Sequence, residues 1–105
     1  MPVLVQPPEM PEEVSAIIDA IGNRIRAALL HALAQNSPQS AVQLAPVVGA
    51  HHVSVHRHLR ELELVGLVHA DAAMGVQRGQ TILWTIDRDQ VDAYIATWHR
   101  YLTGK

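Results

Sequence analysis

Residues 48–68 read VGAHHVSVHRHLRELELVGLV. Gly49 is placed to end one short helix, and a second begins a few residues later. In that second helix Val55, Leu59 and Leu62 recur at i, i+4 and i+7, the spacing of a single buried stripe. The opposite side carries His52, Ser54, His56, Arg57 and Arg60. A short helix, a glycine turn and a second helix with one hydrogen-bonding face form a helix-turn-helix. A helix of this kind fits the major groove of duplex DNA, where its side chains meet base edges.

Outward from that run, the chain reads as a single domain of 105 residues. Residues 1–10 hold three prolines and no helical period, which predicts an extended or disordered arm. Pro11 suits the first position of a helix, and Glu12 and Glu13 suit its positive end. Val14, Ile17, Ile18 and Ile21 continue that helix to a break at Gly22-Asn23. A second helix carries Ile25, Ala28, Leu29, Ala32 and Leu33 and ends near Gln35-Asn36. Ser40 is a natural N-cap for a short helix through Val48, with Leu44 and Val48 turned inward. Pro46 lies inside that helix and removes the bond to the Val42 carbonyl, which predicts a bend.

Beyond Gly66 the period changes. Thr81, Leu83 and Thr85 alternate with Ile82, Trp84 and Ile86, a strand pattern, and residues 67–72 form a weaker strand. The loop between them holds Met74, Gly75, Val76, Gln77, Arg78 and Gly79, so the pair reads as a hairpin, or wing. A last helix runs from Asp89 to about Leu102, with Val91, Ile95, Trp98 and Leu102 on one face. The expected fold is mainly α (α+β): a winged helix-turn-helix of about five helices with a two-stranded β-hairpin wing, spanning residues 11–105.

Charge bears on the partner. The net charge of −2 runs against the basic footprint usual in nucleic-acid binders. Its distribution does not: no acid occurs between Asp19 and Glu61, an interval holding Arg24, Arg26, Arg57, Arg60 and five histidines. Screening beyond roughly 8 Å at physiological salt makes the local balance decisive. Arg57 and Arg60 are the foremost candidates, since a guanidinium pairs with guanine or clamps phosphate. His51, His52, Val53, Ser54 and His56 complete the DNA-facing set on the helix, with Val53 suited to a thymine methyl. Arg78, between Gly75 and Gly79, is the candidate at the wing tip for the minor groove.

The chain contains no cysteine, which excludes disulfides and thiolate metal sites. No nucleophile–base set and no phosphate-binding glycine loop occurs, so no enzymatic activity and no cofactor are expected. His52 and His56 have the i, i+4 spacing of two metal ligands, but a site needs more than two. No apolar run of membrane-spanning length is present.

The recognition run resembles the ArsR-like winged helix-turn-helix regulators of bacteria. The matching residues are Gly49, Val55, His58, Leu59, Leu62, Gly66, Leu67 and Val68, in register without a gap. Upstream, IGNRIRAALL echoes a second family pattern through Ile21, Gly22, Asn23, Arg26, Leu29 and Leu30. The resemblance spans about Ile21 to Ile86. It implies a cytoplasmic regulator that binds double-stranded DNA as a homodimer through its first and last helices. The seam residues would be Val14, Ile17, Ile18, Tyr94, Ile95, Trp98, Tyr101 and Leu102. His51 stands where the family prefers a serine cap, so the cap is expected to be lost. Metal sensors of the family carry Cys before the turn or Asp and His on the last helix. Here the first is absent and Asp92 and His99 are wrongly spaced, so no metal is expected. A protein-docking module on the same fold, and a metal- or ligand-responsive repressor, are the rival readings.

Overall fold

This computed structural model describes residues 10–71 and 81–105. Helix α1, Glu12–Ile21, follows Pro11, whose extended backbone makes it the N-cap rather than the first helical residue. Glu12 and Glu13 fill the first turn, where carboxylates oppose the helix dipole. Helix α2, Arg24–Gln35, is capped by Asn23, whose Oδ1 accepts the amides of Ile25 and Arg26 at 2.9 and 3.1 Å. The expected break at Gly22-Asn23 is therefore a cap.

Helix α3, Ala41–Val48, starts on a full capping box: Ser40 Oγ accepts the Gln43 amide, and the Gln43 side chain accepts the Ser40 amide. It runs through Pro46. One hydrogen bond is forfeited there, yet both ends are secured and Leu44 is fully buried. Gly49 closes the helix in the left-handed region, at φ 71°, which glycine adopts without strain.

Helix α4, His52–Leu64, follows at once, and its stripe of Val55, Leu59 and Leu62 is fully buried. The splice into strand β1, Val68–Ala70, takes three residues. There Gly66 turns with φ 78°, its amide returning to the Glu63 carbonyl and the Leu67 amide to the Leu62 carbonyl. Strand β2, Trp84–Ile86, pairs antiparallel with β1, Val68 opposite Ile86 and Ala70 opposite Trp84. Among the described residues pairing covers Val68–Ala70 and Trp84–Ile86, within the expected 67–72 and 81–86. Helix α5, Arg88–Thr103, is capped by Asp87 and ends at Gly104.

The core joins α2, α3 and α4 with the hairpin: Leu29, Leu33, Leu44, Val55, Leu59, Leu62, Leu67, Val68 and Trp84 are all fully buried. This is the winged helix-turn-helix fold, with five helices and a two-stranded antiparallel wing among the described residues. The N-terminal arm up to residue 9, and Arg78 with the rest of the wing loop, lie outside the described residues. No described helix is long and apolar enough to cross a membrane.

Candidate nucleic-acid interface

At about 100° per residue, the buried stripe of α4 fixes which side chains point directly away from the core. They are Val53, Arg57, Arg60 and Leu64, all exposed, with Glu61 beside them. The histidines and Ser54 lie on the flanks. His52 and His56 are on the side of α3 and the wing, and Ser54 and His58 on the side of α2. The candidate face is therefore narrower than the sequence suggested, with arginines at its centre and imidazoles along one edge.

His51 corrects an expectation. Its Nδ1 accepts the Val53 amide at 3.2 Å, so this residue caps α4 in place of the serine. An imidazole nitrogen carrying a lone pair satisfies the orphan amide as a hydroxyl would. The His51 ring also stacks on His52, centroids 4.5 Å apart. Both imidazoles thus stand at the exposed N-terminus of α4, where amide dipoles favour an anion.

His56 is half-buried. Its ring stands T-shaped to Trp84, centroids 5.9 Å apart at 71°, and it borders a shallow crevice with Ser40, Ala41, Val42, Thr81 and Ile82. Arg60 reaches the same indole, its guanidinium carbon 5.7 Å from the ring centre, and pairs with Glu63 at 3.0 Å. Arg57 is exposed and makes no hydrogen bond or ion pair among the described residues.

His58 is a structural histidine. Its Nδ1 accepts from Arg26 Nε at 3.1 Å, while Arg26 Nη1 donates to the Asp19 carbonyl at 2.9 Å. One guanidinium thereby ties the end of α1 and the start of α2 to the middle of α4. Burial, then the positive charges of Arg26 and Arg57, hold the imidazole below its ordinary 6.5, with Glu61 pulling the other way. The folded state therefore takes up this proton at lower pH than the unfolded chain does. The stabilisation from neutral His58 is complete above about pH 6.5 and is lost as pH falls through the folded value. Melting temperature should decline between about pH 7.5 and about pH 5.5. In His58→Gln, whose amide oxygen can accept from Arg26 without titrating, that part of the slope should vanish. An unchanged slope would remove His58 as its source.

Asp87 joins the wing to α5. Its Oδ2 lies 2.8 Å from His69 Nε2 on β1, its Oδ1 accepts the Gln90 amide, and its own amide donates to the Leu67 carbonyl. The His69 bond, followed by the Gln90 amide, lowers the carboxyl below its ordinary 3.8.

The expected seam residues divide. Val14 and Ile17 are buried within the single chain, where α1 packs on α5, so they hold the domain together and are not free for a second copy. Tyr94 is half-buried, its hydroxyl donating to the Val65 carbonyl at 2.8 Å. Ile18 and Trp98 are half-buried, and Ile95, Tyr101 and Leu102 are exposed. Among the described residues no group of three or more His, Asp or Glu side chains is gathered to hold a metal ion.

Residues 21–70, from the end of α1 through β1, match the family model described as a helix-turn-helix domain. The solved structure of an ArsR-like transcriptional regulator from Rhodococcus sp. RHA1 superposes with a TM-score of 0.66 at 22% identity, covering 89% of this chain and 82% of that one. A homodimeric winged helix-turn-helix DNA-binding domain from Mycobacterium bovis, a possible ArsR-family regulator, gives 0.63 at 20%, covering 90% and 85%. Reduced HlyU from Vibrio cholerae gives 0.62 at 24%, covering 86% and 88%. Comparison with the curated proteins finds no match. The chain thus carries a helix-turn-helix domain over residues 21–70, set in the winged helix-turn-helix fold of the ArsR-family transcriptional regulators.

Proposed function

We propose that this protein is a cytoplasmic transcriptional regulator that binds double-stranded DNA as a homodimer, without enzymatic activity, and reads the major groove with α4. The observation that carries the reading is the outer ridge of α4. Arg57 stands there unengaged among the described residues, Arg60 stands one turn on, and the capped N-terminus of the helix presents His51 and His52 beside them. No acidic residue precedes Glu61 on this helix or on α2 and α3. His51, His52, Val53, Ser54 and His56 provide the remaining contacts, and Arg78 the wing contact. The homodimeric state of the Mycobacterium bovis domain supports a homodimer, and in this reading the exposed Ile95 and Leu102 of α5 lie at its seam.

The test is a mobility shift over a salt titration, on duplexes that the protein selects from a random-sequence pool. Arg57→Ala should cost roughly 1–3 kcal/mol on the selected duplex, and much less on unselected DNA, if the guanidinium reads a base. A uniform loss on both, with the salt slope smaller by about one, would assign it to phosphate. Binding unchanged by Arg57→Ala and insensitive to salt would move α4 out of the groove.

A second reading, a protein-docking module, draws on a different feature. Val42 and Val47 on α3 are 65% and 63% exposed beside the candidate face. Exposed aliphatics rimmed by polar residues mark interaction surfaces. The same mobility shift separates the two readings.

A further inference from the structure

Trp84 belongs to the wing strand, yet it meets two side chains of the proposed DNA-reading helix. It is fully buried, and its backbone is held from both sides. Its carbonyl and amide bond with Gln39 at 3.1 and 2.8 Å, on the loop before α3, and its other edge pairs with Ala70 of β1. The ring cannot shift without moving the helix-turn-helix and the wing together. Against it lie Arg60, over the ring at 5.7 Å, and His56, in a T-shaped contact at 5.9 Å. These two are four residues apart, so they are neighbours on one side of α4. Glu63 also holds the Arg60 guanidinium, at 3.0 Å.

We propose that Trp84 is a positioning residue for DNA recognition: its ring is the platform that holds Arg60, with His56 beside it, in the orientation that meets the duplex. The proposal rests on the DNA-binding reading above. An arginine free in solvent loses rotamer freedom when it docks on a base or phosphate. One already held by a ring face and a carboxylate has lost much of it beforehand, so its placement becomes specific. Half of the Arg60 side chain remains exposed, at 52%, so the donors stay available while the stem is held. Arg57, without such a hold, differs in kind. The indole N–H of Trp84 is buried with no hydrogen-bond partner among the described residues. The ring therefore acts through its face and edge, and Trp84→Phe removes no bond.

The experiment is a double-mutant cycle on DNA affinity, with a duplex selected by the wild-type protein and an unselected duplex of equal length. Trp84→Leu should weaken the selected duplex by roughly two- to fivefold, the equivalent of one exposed cation–π contact. It should leave the unselected duplex nearly unchanged. In the Arg60→Ala background Trp84→Leu should add nothing, and Trp84→Phe should restore most of the loss. Losses that add in the double variant, or that fall equally on both duplexes, would make Trp84 a packing residue only and overturn the proposal. A second measurement needs no variant and covers failure of Trp84→Leu to fold. The ring current of Trp84 should displace the Arg60 side-chain proton signals, and the displacement should persist when the selected duplex is saturating. Its disappearance in the complex means that Arg60 leaves the platform to bind, and the proposal fails. A wild-type protein that selects no duplex overturns the DNA-binding reading and this proposal with it. Selection without coupling between Trp84 and Arg60 overturns this proposal alone.

Discussion

Glutamate at both Ile95 and Leu102 will leave the protein monomeric. Among the described residues none on α5 is fully buried, although the helix is 16 residues long. Ile95 and Leu102 are 44% and 68% exposed, and Trp98 lies between them on the same face. In the proposed homodimer this face is covered by its own copy. A two-fold seam meets itself, so two carboxylates per chain bring four like charges into one apolar patch. Desolvating them costs more than the seam returns. Sedimentation should find the wild type dimeric at tens of micromolar and the double variant monomeric with an unchanged circular dichroism spectrum. Binding to a two-fold duplex should fall by about 10²-fold or more, because the second half-site is no longer delivered at high effective concentration. Val14 and Ile17 provide the contrast. Both are inside the chain, so charge there should unfold α1 and α5 from each other instead of separating two intact copies. A wild type that sediments as a monomer at that concentration would sink the seam reading, and with it the expectation of a two-fold operator.

The other large effect concerns stability. Leu59 sits at the middle of α4 with no solvent exposure, in the cluster that includes Leu33, Leu44 and Trp84. Leu59→Ala should cost about 2–5 kcal/mol, from the lost transfer of the side chain and the cavity left behind. For a small domain the whole reserve is about 5–15 kcal/mol. The urea midpoint should drop steeply while the slope of the transition stays the same. DNA binding should then fail in proportion to the unfolded population. Arg57→Ala should behave oppositely, changing binding with the urea midpoint in place. A Leu59→Ala protein as stable as wild type would mean that α4 is not seated on this core.

These contrasts show what the sequence could and could not disclose. The inner stripe of α4 was legible because burial of Val55, Leu59 and Leu62 follows from a 3.6-residue period, which is local. Ser40 was legible as a cap for the same reason, and the structure adds Gln43 as its partner in the box. The wing was legible in type but not in length, since the ends of a ladder are set by the partner strand. Trp84 looked like one inward residue of an alternating strand. Its neighbours Arg60 and His56 lie more than twenty positions away, and Gln39 lies farther still, so no periodicity could join them. The cap made by His51 was missed because the usual preference for serine and threonine overlooks a ring nitrogen with a free lone pair. Val14 and Ile17 enter the seam through the family resemblance, which names the first helix without saying which of its faces is free. Which apolar face is covered within the chain depends on how α1 meets α5, a tertiary fact.

The splice between α4 and β1 has a mechanical consequence. Three residues connect α4 to the hairpin, and their polar groups are heavily engaged. The Gly66 and Leu67 amides return to the end of α4, the Leu67 carbonyl takes the Asp87 amide, and the Val65 carbonyl takes the Tyr94 hydroxyl. A side chain at Gly66 would strain the backbone, which turns there at φ 78°. Such a joint has no slack and cannot serve as a hinge. Helix α4 and the paired strands are therefore tied to each other, and to α5 through Tyr94 and the cap residue Asp87. A displacement of α5 is therefore passed to α4 and the paired strands together, as a key turns with its bow.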